Sequence, residues 1–81
     1  MDPALRKEFV LDAGSKGCTG MFWRSEPRMG ATASASDWPR NGSVLHGWYV
    51  QEHPGWVRID HPNGYWMPVE QDGHTVLHEK Q

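Results

Sequence analysis

The recurrence of turn chemistry restricts this chain more than any other feature. PRNG (39–42), EHPG (52–55), HPNG (61–64) and QDGH (71–74) each gather Gly, Pro, Asn or Asp, at intervals of roughly ten residues. The segments between them are short and rich in β-branched and aromatic side chains. SVLHGWYVQ (43–51), WVRID (56–60), YWMPVE (65–70) and TVLHE (75–79) therefore read as strands, with TGMFWRSEP (19–27) as the first of the set. Four or five short strands separated by tight turns predict an all-β barrel or sandwich. In a chain of 81 residues a small barrel is favoured, because closure removes exposed sheet edges.

Details within the strands sharpen this expectation. Alternation along WVRID places Val57 and Ile59 on one face and Trp56 and Arg58 on the other. Gly47, inside the second strand, predicts a bulge or a close backbone approach, and Pro68 must sit at an edge or a bulge because it cannot donate to a ladder. Residues 28–42 are small and polar, with an Ala/Ser run from Ala31 to Ser36. A loop of that length is uncommon in a compact domain and is often functional. Within it Asp37 caps a local turn, and Trp38 is either a plug at the barrel end or, with Arg40, a groove wall. The first nineteen residues read as an N-terminal arm or linker. Asp2 is a candidate helix cap, Pro3 a first helical position and Ala4–Phe9 a turn or two of helix, followed by the Gly-rich connector DAGSKGCTG (12–20). The barrel is placed at 20–81.

The order of these pieces resembles the SH3-like barrel, and within it the bacterial-type SH3 (SH3b) module. MFWRSEP stands where that family has a first strand ending in Arg-Ser-x-Pro, followed by a long loop; PRNG precedes the next strand; GWVRI matches a Gly-Trp strand; and NGYWMPV matches the strand after the distal turn. The likeness runs from about Gly20 to Val69. It implies a five-stranded SH3-like barrel. Three features depart from peptide-binding signalling SH3 domains: the spacing from Tyr65 to Pro68, the lack of a Ser-Asn-Tyr after that proline, and the few acids in the long loop.

Several function classes are disfavoured by residue content. The formal net charge is −2 and the basic residues are scattered, so no nucleic-acid partner is expected. One cysteine, Cys18, cannot staple the fold. No apolar run approaches the roughly 20 residues of a membrane span, and the N-terminus lacks a signal-peptide pattern, so a cytoplasmic setting is the default. The five histidines show no zinc spacing; His74 and His78 share a strand face but lie about 13 Å apart. No catalytic pairing or phosphate loop is present, so neither an enzyme nor a cofactor is expected.

What remains is an aromatic surplus, with five tryptophans in a short chain. Such rings are either filler in a core poor in aliphatics or a ligand surface. Pairing across the distal turn predicts Trp56 near Tyr65 or Trp66, and a folded-back loop brings Trp38 to the same end. The expected ligand-binding set is Trp56, Tyr65, Trp66, Trp38 and Arg58. The expected role is a non-catalytic module that recognises a peptide or protein partner through an aromatic groove, as one part of a larger protein or assembly. The alternatives are a scaffold barrel without a groove and a glycan- or cell-wall-binding SH3b module.

Overall fold

Three of the expected strands form a meander in the computed structural model, which describes residues 2–14 and 17–80. They are β2 (Val44–Tyr49), β3 (Trp56–Ile59) and β4 (Trp66–Pro68). HPNG closes the β3–β4 turn, with the Gly64 N–H donating to the His61 carbonyl at 2.9 Å. The registers are Trp48 opposite Arg58, Arg58 opposite Trp66, and Trp56 opposite Pro68. Val57, Ile59 and Met67 are buried, while Trp56, Arg58 and Trp66 are half-buried on the other face, as alternation requires. Pro68 lies on β4, at one edge of the sheet, where its missing N–H costs no ladder bond.

The N-terminal segment is not an arm. Lys7–Leu11 is strand β1, paired antiparallel with β2 on one side and with β7 (Leu77–Glu79) on the other. Phe9, Leu11 and Ala13 are each 0% exposed. Their period of two is a strand signal, and burial of those three side chains outweighs the helical start. Asp2 and Pro3 do build one 3-10 turn, Pro3–Leu5, in which the Ala4 N–H donates to Asp2 Oδ1 at 2.9 Å. The chain is extended again by Arg6. Ser15 and Lys16 of the expected connector lie outside the described residues. Around them Asn41 accepts from the Ala13 N–H and donates to the Cys18 carbonyl, both at 2.8 Å.

The segment read as the first strand is part of a long loop between β1 and β2. Met21 and Trp23 are buried and Phe22 is exposed, so the alternation is real. Its pairing, however, is limited to isolated bridges: Gly20 with Arg40, and Arg24 with Thr32 and Trp66. β1 fills the place beside β2, and this segment meets the sheet only at the outer edge of β4, through the Arg24–Trp66 bridge. Ala33, Ala35 and Trp38 pack against the same core.

Beyond β4, Glu70–Gln71 (β5) and His74–Thr75 (β6) make a small hairpin. Its turn holds Asp72 and Gly73 at positive φ, 52° and 81°, the chemistry that such two-residue turns demand. TVLHE, expected as one strand, breaks at the buried Val76. The Val76 and Leu77 N–H groups both donate to the Val69 carbonyl, at 2.8 and 3.2 Å. The result is a five-stranded antiparallel sheet in the order β4-β3-β2-β1-β7. One face covers a core of Phe9, Leu11, Leu45, Val57, Met67 and Leu77. All-β architecture follows. Among the described residues no helix is long and apolar enough to cross a membrane.

Candidate functional site

A cleft of about 440 Å³ opens where the long loop meets the start of β3 and the end of β4. Trp56 and Pro68 face each other across the two strands and line it, joined by Tyr49 from the end of β2, Met29 from the loop, and Val69 and Glu70. The Val69 N–H donates to the Gly55 carbonyl at 2.9 Å, which closes the base. Tyr49 and Met29 are exposed at 49% and 41%, large values for apolar walls in a small domain. Tyr49 is held in place: its ring meets Phe9 edge-on at 5.5 Å, and its hydroxyl donates to Glu79 Oε1 at 2.9 Å. Partial burial and the adjacent Glu79 carboxylate both raise its phenol pKa.

Arg24 fixes the loop that carries Met29. It is 5% exposed. Its Nε donates to the Met29 carbonyl at 3.0 Å, and its Nη1 donates to the Phe22 carbonyl. Burial lowers its pKa from the ordinary guanidinium value, and the two carbonyls supply the acceptors that a desolvated cation needs. Its backbone bonds Trp66 in both directions, at 3.0 and 2.7 Å. One residue thus ties the loop wall of the cleft to the strand wall.

The five residues expected to form one surface are dispersed. Trp56 lies in the cleft. Arg58 and Trp66 stand opposite one another on the outer sheet face, the guanidinium carbon 5.7 Å from the indole centroid, with the His53 ring edge-on to Trp66 at 5.3 Å. Tyr65 stacks on Trp23 at 5.8 Å and tilts against His61 at 4.5 Å. Trp38 meets Phe22 edge-on at 5.3 Å under the Arg40 guanidinium, 3.2 Å from its centroid, and lines a separate cavity of about 340 Å³ with Phe22 and Cys18. The expected pairing of Trp56 with Tyr65 or Trp66 is replaced by Pro68, because the β3–β4 register sets Trp66 opposite Arg58 and Pro68 opposite Trp56. Counting outward from HPNG would set Val69 opposite Trp56; the observed register is shifted by one residue, with the Ile59 N–H donating to the Tyr65 carbonyl at 2.9 Å, so the turn motif alone does not point to Pro68. Met29 gave no local signal.

Asp37 and His61 form a second polar cluster, which latches the long loop to the distal turn. Asp37 Oδ1 accepts from Trp23 Nε1 at 3.2 Å and Oδ2 accepts from His61 Nε2 at 2.7 Å, while His61 Nδ1 accepts from the Asn63 N–H at 3.0 Å. These partners place the imidazole proton on Nε2. The hydrogen bond from His61 is the main cause that lowers the Asp37 pKa below the ordinary carboxylate value. A depressed carboxylate pKa stabilises the fold above the unfolded value of about 3.9, and the contribution is lost as pH falls through the folded pKa. Asp37→Asn is therefore expected to lower the melting temperature at pH 6, with the gap to wild type closing below about pH 4. A gap that stays constant from pH 6 to 2.5 would show that the carboxylate charge plays no part. Among the described residues no group of three or more His, Cys, Asp or Glu side chains is placed to hold a metal ion.

No known protein family, curated protein or solved structure matches this chain.

Proposed function

We propose that the chain is a closed, SH3-like barrel that acts as a non-catalytic module and binds an extended peptide of a protein partner in the Trp56 cleft. Two features support closure. The element order is a first strand, a long loop, a three-strand meander and a last strand returning to the first, the order of the SH3b resemblance with β1 in place of Met21–Pro27. The Val69 carbonyl, one residue beyond β4, also accepts from Val76 and Leu77 at the head of β7, so the two sheet edges approach each other there.

The observation that carries the binding reading is the composition of the cleft. Trp56, Tyr49, Met29 and Pro68 offer rigid or polarisable apolar walls with few hydrogen-bonding groups. A polyproline-like chain suits such walls, because it is preformed and needs few main-chain partners. Peptides selected from a random library on the immobilised protein are expected to shift the NMR signals of Trp56, Tyr49 and Met29. Trp56→Ala is expected to weaken them about thirtyfold, as for an interface hot spot, while the melting temperature changes by only a few degrees. Selected peptides that perturb another face, or a Trp56→Ala variant that binds as well as wild type, would remove the proposal.

A groove-free scaffold is the second reading. It draws on the other four indoles, each of which already has an internal partner: Trp23 with Asp37, Trp38 with Phe22, Trp48 with the Asp2 carbonyl and Trp66 with His53. Failure to select any cleft-binding peptide would favour it.

A further inference from the structure

We infer that the cleft selects its peptide through an N-methylated lysine side chain, whose quaternary or near-quaternary ammonium sits against Trp56 and Tyr49 with Glu70 as its counter-charge. This rests on the reading of the cleft as a peptide site and adds the chemistry it recognises. Among the described residues Glu70 is the one charged side chain that lines the cleft, and it takes part in no ion pair. A second carboxylate, Glu79, stands 2.9 Å from the Tyr49 hydroxyl, partly offset by Lys7 at 3.8 Å. Arg28, next to Met29 on the loop, is held by Glu26 at 2.8 Å, so the adjacent cation of the chain is already paired.

The Trp56 ring has no ring partner among the described residues, and it is half-buried at the wall of the cleft. The Tyr49 ring is preset by Phe9 and Glu79. Two aromatic rings beside a carboxylate favour a cation. An unmodified ammonium carries three donors and a tight hydration shell, and one carboxylate cannot replace them. Methylation removes the donors and weakens hydration. The cost of entering a cleft of rings, a thioether and a proline then falls, while the cation–π attraction stays.

The test uses acetyl-Nε-trimethyllysine methylamide, the same compound with unmodified lysine, and the neutral isostere with carbon in place of the quaternary nitrogen. Each is titrated into the 15N-labelled full chain. The trimethylated compound is expected to bind about tenfold more tightly than either control, with shifts centred on Trp56 and Tyr49. Glu70→Gln is expected to weaken the trimethylated compound and leave the neutral isostere unchanged. That exposed substitution does not threaten folding, whereas Trp56→Leu, which should abolish both, needs a folded spectrum before it is read. Equal affinity for the charged compound and its isostere overturns the inference, as does saturation at another face or no saturable binding at all. Library peptides that occupy the cleft without any cationic residue would overturn it too, while leaving the peptide reading intact. Binding of the trimethylated compound with no peptide entering the cleft would do the reverse.

Discussion

Phe9→Ala is expected to leave the chain largely unfolded at room temperature. Phe9 is fully buried in β1, a strand with neighbours on both sides, and its ring supports Tyr49 edge-on. Truncating a buried phenylalanine costs about 3–5 kcal/mol. At roughly 0.05–0.15 kcal/mol per residue, a chain of 81 residues has about 4–12 kcal/mol of stability in total. The loss is thus a quarter or more of what holds the fold, and at the lower end all of it, and it comes from a core too small to repack around the void. Leu5→Ala is the matched control: Leu5 is 63% exposed and its loss should change the melting temperature by about a degree or less. Circular dichroism melts of the two variants decide the matter. Similar melting temperatures for both would mean that residues 7–11 behave as a loose arm after all.

That experiment bears on the largest misreading of the sequence. Asp2 and Pro3 are strong local helix signals, and they do form a turn, but one turn of three residues. The strand that follows, KEFVL, has only two inward positions before it ends, so its period-two pattern is short. What makes it a strand is pairing with β2, whose Leu45 lies opposite Phe9 although 36 positions further along the chain. Such pairing is invisible to any local window. Met21–Pro27 differs in the opposite direction: its alternation is strand-like and Met21 and Trp23 are buried, but it meets the free edge of β4 at a single bridge, Arg24 with Trp66, and does not extend into a strand. By contrast, turns with obligatory backbone chemistry were legible. HPNG and QDGH mark where the chain reverses, although the β3–β4 register lies one residue away from the one a symmetric HPNG turn would give.

The candidate site was half legible for the same reason. Trp56 was identified because alternation alone puts it off the core face. Its companions come from separate parts of the chain, at positions 29, 49 and 68, and only the last lies across a local turn, in a register that the turn motif alone does not fix. Arg58 and Trp66 share a sheet face with Trp56, yet they look outward past the cleft. Tyr65 and Trp38 were drawn into packing against Trp23 and Phe22, as expected where aromatics substitute for aliphatic filler.

Gly47→Ala is expected to destabilise the fold by about 2–3 kcal/mol, and Gly47→Val to prevent folding. Propensity alone predicts the reverse. Gly47 is not among the residues with positive φ, so an alanine there would ordinarily stabilise by about 0.4–1 kcal/mol through the unfolded chain. The space decides the sign. A Cβ at Gly47 would press on the carbonyl oxygen of Arg58 and stand 2.9 Å from Val57 Cγ1. Arg58 O is backbone in the neighbouring strand and cannot rotate away. Relief requires β3 to move off β2, which strains the bond from the Asp60 N–H to the His46 carbonyl at 2.8 Å and lifts Val57 from the core. It also shifts Trp56, since the same strand carries both. Gly30→Ala supplies the comparison: its φ is not positive either, and the nearest atom to its Cβ is the flexible Arg28 Nη1 at 3.7 Å. Urea denaturation should therefore show Gly30→Ala at or slightly above wild-type stability and Gly47→Ala well below it. Should the two variants unfold at the same urea concentration, the strands at Gly47 are further apart than this close approach of β2 and β3 requires.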